Sequence, residues 1–303
     1  MNTKHIVYKQ VGDLKIYLTI YLPENAKKVP VLLYFHGFGG LLSGTRKVFP
    51  PHLLRSVEKY KLALVTADYR LAPQAAIQDI WQDVESCVEF IQEKLAKELE
   101  DPTAIDPEHL AVAGSSAGGL LALMAGLYIE PKPQVILAMY PITDPLGTFF
   151  KNDQIYKTYA EDEDPDESRC IWRSTIERFL NPNRRVVSNS RQGDDRDKLY
   201  HWVLSQGDYS KHLKFEMSTK QYDDYDEYHC YGNENWRIPK QVTHLGLPPT
   251  YIIHGTHDVN VDIEQSDLLV GVLNRTEIVF KYEALAEEEH RFDMVGDLTP
   301  ESM

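Results

Sequence analysis

Cysteine is scarce. Cys87, Cys170 and Cys230 are odd in number, far apart and in no metal-ligand spacing, so neither a disulfide framework nor a zinc site is expected. A reducing compartment is the simpler reading. No apolar run approaches the roughly 18 residues that a membrane-spanning helix needs, and none is expected. The N-terminus, Met1 to Gln10, alternates like a strand and lacks the apolar stretch of roughly 7–15 residues of a secretory leader. The cytoplasm is the expected location. Positive charge is also short: 32 Lys and Arg against 46 Asp and Glu leave a net charge of −14. That balance repels polyphosphate and anionic headgroups, so no nucleic acid partner is expected. Internal repeats are lacking as well.

Apolar residues, at 43%, and charged residues, at 26%, match an ordinary globular chain. At 303 residues, one α/β core with an elaboration is expected. Two runs of alternating and β-branched residues across residues 4–22, split by Gly12-Asp13, predict an antiparallel hairpin. Val29–Phe35 and Leu62–Ala67 read as buried strands, followed further on by Leu110–Ala113 and Gln134–Tyr140. Between them Ile77, Ile80, Trp81, Val84, Val88, Ile91, Leu95 and Leu99 paint one face of a long helix. A small-residue helix is predicted over Ala117–Tyr128. Alternating strand and helix imply a mostly parallel sheet covered on both faces.

From 145 to 245 the sequence turns acidic and aromatic, with Glu161-Asp162-Glu163-Asp164, Arg191 to Asp197, and Tyr222 to Tyr228. A helix at Ser168–Phe179 makes this a structured insertion, dividing a core of 1–144 and 246–303. Afterwards strand Thr250–His254, a helix near Ile263–Leu273 and strand Glu277–Glu283 are expected.

Gly114-Ser115-Ser116-Ala117-Gly118 matches G-x-S-x-G between a predicted strand and a predicted helix. That context exposes the Ser116 hydroxyl on a sharp turn, with helix N–H donors beside it. A serine is a weak nucleophile, so a base and a group that orients the base are required. In an elbow of this kind they follow in the order acid, then histidine. Asp258, after the strand Thr250–His254, and His290, after the next strand, satisfy that order. The competing reading of Asp258 is a helix N-cap, with Asp262 as the alternative carboxylate. His254 and His257 compete with His290 but precede Asp258. The loop His36-Gly37-Phe38-Gly39-Gly40 follows a buried strand and can approach a substrate closely. The N–H groups of Phe38, Gly39 and Ala117 are the candidate oxyanion donors, each worth about 2.7–4 kcal/mol to an acyl-transfer transition state. His36 reads as a brace for that loop.

These motifs together resemble the hormone-sensitive-lipase-like branch of the α/β-hydrolases. His36 to Gly40 is similar to its H-G-G-G loop, Asp68-Tyr69-Arg70-Leu71-Ala72-Pro73 to its D-Y-R-L-A-P segment, and Gly114 to Gly119 to its G-D-S-A-G-G elbow. His254-Gly255, Asp258 and His290-Arg291-Phe292 resemble its acid and histidine loops. The resemblance spans roughly 29–140 and 248–293. It implies an α/β-hydrolase fold, the nucleophile, acid and base roles for Ser116, Asp258 and His290, and a lid role for 145–245. It also implies that Asp68 and Arg70 tie the loop beneath the site.

Phe38 replaces a glycine, which adds a bulky ring, and Ser115 replaces the usual Asp. The chain runs only 13 residues past His290, where this family carries a further helix, as expected of a shortened chain. The implied activity is serine hydrolysis of a carboxylic ester or thioester, with no metal or organic cofactor. Tyr200, Trp202 and Trp236 are candidate pocket aromatics, against a surface alternative. The unusual insertion suggests a dedicated small-molecule substrate, such as one in natural-product metabolism. Lyase, dehydratase or acyltransferase chemistry at the same site, or a receptor without turnover, are the alternatives.

Overall fold

A computed structural model describes residues 1–151, 174–181, 183–191, 193–215 and 233–294. Strands β1 (Asn2–Val11) and β2 (Leu14–Leu22) form the expected hairpin, whose turn needs the left-handed φ of +56° that Gly12 supplies. They lead into β3 (Val29–Phe35), β4 (Ala63–Ala67), β5 (Ile105–Ser115), β6 (Val135–Met139), β7 (Thr250–Gly255) and β8 (Phe280–Leu285). The sheet order is β1-β2-β4-β3-β5-β6-β7-β8. Only the β1–β2 and β2–β4 pairings are antiparallel. Helices α1 (Pro51–Tyr60), α2 (Ile77–Glu93) and α3 (Ala117–Tyr128) connect the parallel strands in the first half. Helices α4 (174–180), α5 (Leu199–Ser205), α6 (Tyr209–His212), α7 (Ile238–Leu245) and α8 (Glu264–Leu273) follow.

Three expected elements have bounds shifted by more than one residue. β5 begins at Ile105, ahead of Leu110, and its register against β3 slips where Asp106 to His109 break the apolar pattern. α2 ends at Glu93, and Leu95–Glu98 form a tighter 3₁₀ turn that keeps Leu95 buried. β8 lies two to three residues later than Glu277–Glu283, in register with Thr250–Gly255. α1 had no counterpart in the sequence reading, because only Leu53 and Val57 of its residues are buried.

Central α3 buries every residue from Ala117 to Leu127, which explains its small and apolar composition. α2 buries Ile77, Ile80, Trp81, Val84, Val88 and Ile91, together with the free thiol of Cys87. Burial pushes that thiol well up, so Cys87 behaves as a core hydrophobe. Cys170, Cys230, the start of the helix expected at Ser168 and the acidic runs at Glu161 and Tyr222 lie outside the described residues. No helix among the described residues is long and apolar enough to cross a membrane.

The described parts of 145–245 are bonded to loops at the carboxyl ends of β3 and β4. Leu71 N–H donates to Val187 O at 2.8 Å, and Ser190 N–H to Gly44 O at 2.8 Å. Arg196, buried in the interior, donates to Leu42 O and Ala72 O at 2.6 Å each and to Gln74 Oε1 at 3.0 Å. Tyr209 Oη reaches Gly40 O at 3.1 Å. Trp236 is fully buried against Phe215, and Trp202 is half-buried beside His212, so neither surface reading holds for them.

Candidate active site

Ser116 stands between the end of β5 and the first residue of α3, with φ 54° and ψ −122°. A positive φ is strained for a non-glycine residue, and the neighbours over-determine it. Ser116 N–H donates to Met139 O at 2.9 Å, and its carbonyl accepts from Gly119 at 2.9 Å and Ile142 at 3.1 Å. The flanking glycines are sterically required. A Cβ at Gly114 would lie 2.0 Å from Gly118 O, and one at Gly118 would lie 2.1 Å from Phe35 O. At Gly37, a Cβ would meet Ser115 O at 1.6 Å and Ser116 Cβ at 2.8 Å. The glycine-rich loop therefore presses directly on the elbow.

In that loop, the N–H groups of Phe38 and Gly39 make no hydrogen bond among the described residues, and neither does that of Ala117. His36 is buried, stacked on Tyr69 at 4.3 Å between ring centroids, and the Tyr69 hydroxyl donates to His36 O. Burial, helped by the Arg46 charge, pushes the His36 pKa down to about 3. It stays neutral near pH 7, as a brace requires. The D-Y-R segment supplies the rest of the support. Asp68 accepts from the Arg46 backbone N–H at 2.7 Å and pairs with its guanidinium, while Arg70 pairs with Asp83 at 2.8 Å.

Asp258 lies just past β7 and is buried. Its Oδ1 accepts the N–H groups of Asn260 and Val261, each at 2.9 Å. Its Oδ2 accepts from His290 Nδ1 at 2.6 Å, which leaves Nε2 of a neutral ring as the free acceptor. Burial raises the Asp258 pKa, but hydrogen bonds from His254 and His290 outweigh it and hold the carboxyl well below the usual range. His254 is fully buried, with Nδ1 on Ser266 Oγ at 2.7 Å and Nε2 on Val261 O at 2.9 Å. It is a support for Asp258 and no rival to His290. Asp262 Oδ1 accepts from Glu264 N–H at 2.8 Å, so its carboxylate is held at the first residue of α8. His257 is exposed.

The loop carrying His290 is clamped to the loop carrying Asp258: His257 N–H donates to Glu288 O at 2.9 Å, and Glu287 N–H to Thr256 Oγ1 at 2.9 Å. Asp258 and His290 thus meet directly. Ser116 Oγ makes no hydrogen bond among the described residues, so its contact with His290 is open in this structure. Such contacts are commonly loose until substrate binds.

Around the pair stand Tyr140, Asp293 and His201, which the sequence reading does not single out, and Ser115 and Tyr200, which it names without these contacts. Tyr140, with φ 38°, meets the His290 ring edge-on at 4.7 Å, and its hydroxyl donates to Asp293 Oδ1 at 2.6 Å. Ser115, where an Asp was expected, shares a 2.7 Å hydrogen bond with the Tyr34 hydroxyl. From α5, the Tyr200 ring sits on Gly40, and its hydroxyl donates to Asn260 O at 2.7 Å. Burial and then the nearby His290 hold the His201 pKa below its ordinary value. Among the described residues, no group of three or more His, Cys, Asp or Glu side chains could hold a metal ion.

The profile of the α/β-hydrolase fold family matches residues 32–199, more than half of the chain, and includes the loop at His36 and the elbow at Ser116. The chain belongs to this family, in its hormone-sensitive-lipase-like branch. The α/β-hydrolase is 31% identical to methylphloroacetophenone synthase of Cladonia uncialis, over 53% of this chain and 7% of that protein. It is 27% identical to the non-reducing polyketide synthase Preu3 of Preussia isomera, over 96% of this chain and 13% of the synthase. The chain therefore spans a small fraction of these relatives. An AB hydrolase superfamily protein of Schizosaccharomyces pombe is 29% identical, over 53% of this chain and 46% of its own. Among solved structures, a Staphylococcus aureus protein of unknown function superposes with a TM-score of 0.69 at 19% identity, covering 100% of this chain and 94% of its own. Thermogutta terrifontis esterase 2 with bound butyrate superposes with a TM-score of 0.60 at 18% identity, covering 99% and 88%. At those identities the superpositions establish the fold.

Proposed function

We propose that this α/β-hydrolase cleaves carboxylic esters or thioesters through an acyl-enzyme on Ser116. The observation that carries the reading is the 2.6 Å bond from His290 Nδ1 to Asp258 Oδ2, in the loops that follow consecutive strands of the sheet bearing Ser116. In this reading His290 Nε2 takes the Ser116 proton as Oγ attacks the acyl carbon, and Asp258 stabilises the imidazolium. The free N–H groups of Phe38, Gly39 and Ala117 receive the oxyanion. The proton passes to the departing alcohol or thiol, and a water activated by His290 then releases the acid. Residues 145–245 serve as a lid, supported by the bonds of Ser190, Arg196 and Tyr209 to the glycine-rich loop and its continuation.

The similarity to polyketide synthases supports a substrate from natural-product metabolism and extends the proposal to thioester release. An intact Asp258–His290 pair disfavours a receptor without turnover. The test is hydrolysis of p-nitrophenyl esters from acetate to octanoate by the protein, Ser116→Ala and His290→Ala. Turnover by the parent and loss of several orders of magnitude in both variants are expected. Equal inertness of all three would overturn the general esterase reading.

A further inference from the structure

Arg291 directly follows the proposed base and holds a left-handed φ of +67°, a conformation a non-glycine residue adopts at a cost. Its guanidinium lies 4.3 Å from the centroid of the Phe38 ring, so it bridges the histidine loop and the glycine-rich loop. Phe38 is itself held: Gly44 backs it, with a built Cβ at 3.1 Å from Phe38 Cβ, and Gly44 is bonded to Ser190 through both its N–H and its carbonyl. Among the described residues Arg291 makes no ion pair and no hydrogen bond. Two carboxylates feel its charge, Asp293 and Asp197, but neither makes an ion pair with it, and each has one oxygen bonded elsewhere, Asp293 to Tyr140 and Asp197 to the Gly193 N–H. A half-buried guanidinium with no carboxylate in ion-pair contact among the described residues, beside the reacting centre, has N–H groups left to receive an anion.

We propose that Arg291 binds an anionic group, a carboxylate or an ionised phenol or enol, carried by the substrate beside its scissile carbonyl. This rests on the ester or thioester reading of Ser116 and narrows its substrate class to esters that bear an acidic oxygen. The Phe38 ring backs the guanidinium on one face and offers it no acceptor, which leaves its N–H groups for two oxygens of one anion.

Two ester pairs test it, 4-nitrophenyl hydrogen glutarate against 4-nitrophenyl pentanoate, and 4-acetoxybenzoate against its methyl ester. In Arg291→Gln the ratio of kcat/KM, anionic over neutral, is expected to fall about tenfold in at least one pair, mainly through KM. An unchanged ratio in both pairs overturns the proposal. A second measurement stands apart from turnover: calorimetric binding of monomethyl glutarate and methyl pentanoate to Ser116→Ala, with and without Arg291→Gln. Tighter binding of the anion that Arg291→Gln abolishes supports the subsite even if no ester is hydrolysed. Equal binding of the two ligands to Ser116→Ala, or no binding of either, overturns it.

Discussion

The Tyr140 hydroxyl donates to Asp293 Oδ1 at 2.6 Å, while the same ring packs edge-on against His290. The second oxygen, Asp293 Oδ2, is buried and has no hydrogen-bond partner among the described residues. A carboxylate in that setting is poorly solvated. Burial pushes the Asp293 pKa up to about 6, against the Tyr140 hydrogen bond and the charges of His290 and Arg291. The carboxylate that the family carries at the elbow is a serine here, and besides Asp258 a second buried acid whose charge acts on His290 comes from the C-terminal side.

Asp293 thereby links stability to pH. Its folded pKa exceeds the ordinary 3.8, so the folded state holds the proton more tightly than the unfolded state. The stability gained is fully present below about pH 4 and is lost as pH rises through about 6. Asp293→Asn keeps an acceptor for Tyr140 and removes the buried charge. The variant should match the parent near pH 3.5 and exceed it by about 1–3 kcal/mol at pH 8. Urea midpoints at the two pH values check this. A variant less stable than the parent at pH 8 would mean that the ionised carboxylate is held by His290 or Arg291.

Asp258 behaves with the opposite sign. Its folded pKa lies below the unfolded value, so it stabilises the fold above about pH 4, and that contribution disappears as pH falls further. Asp258→Asn should flatten the acid limb of the stability profile. It should also reduce kcat/KM on a p-nitrophenyl ester by about 10⁴-fold, because an amide no longer fixes the N–H of His290 on Nδ1. Equal kcat/KM in parent and variant would remove Asp258 from the mechanism.

Local signals were legible in the sequence, and contacts between distant segments were legible only through chain order. The elbow reads from five residues because Gly114 faces the Gly118 backbone across a single turn and Gly118 faces the end of β3, so neither site admits a side chain. Asp258 and His290, 32 residues apart, were found because consecutive parallel strands bring their loops side by side. Tyr140 and Asp293 are 153 residues apart and belong to no motif, so nothing announced their bond. The expected strand starts late, at Leu110, because Asp106 to His109 interrupt the apolar pattern, and only Ile105 and Asp106 pair with β3 ahead of that break. α1 was missed because two buried residues are too few to make a stripe. His201 lies in the segment with no family pattern, so only the fold brings it to the site, while its neighbour Tyr200 reads from the sequence as a pocket aromatic without its partners.

Glycine contacts provide a steric test. A methyl at Gly37 meets backbone and Cβ atoms of the elbow itself, none of which can rotate away. Gly37→Ala should cost about 1–3 kcal/mol or more and displace Ser116, with loss of turnover exceeding the loss of folded protein. Gly271 in α8 has nothing within 4 Å of a built Cβ. Gly271→Ala should stabilise the protein by up to about 1 kcal/mol, since alanine favours a helix interior. Denaturation of the two variants side by side separates a steric requirement from a general intolerance of alanine.

Tyr200 offers the sharpest test of how 145–245 supports the site. Its ring covers Gly40, and its hydroxyl bonds the carbonyl of Asn260, whose own N–H is bonded to Asp258 Oδ1. A chain of contacts therefore runs from α5 to the orienting carboxylate. Tyr200→Phe removes one hydroxyl and leaves the ring packing intact. The loss of a single neutral hydrogen bond should cost about 1 kcal/mol of stability. If α5 positions the acid loop, kcat should fall as well, by about three- to tenfold, with KM little changed. A variant that loses stability while keeping kcat would restrict α5 to packing, and the Asp258–His290 geometry would then depend on the core loops alone.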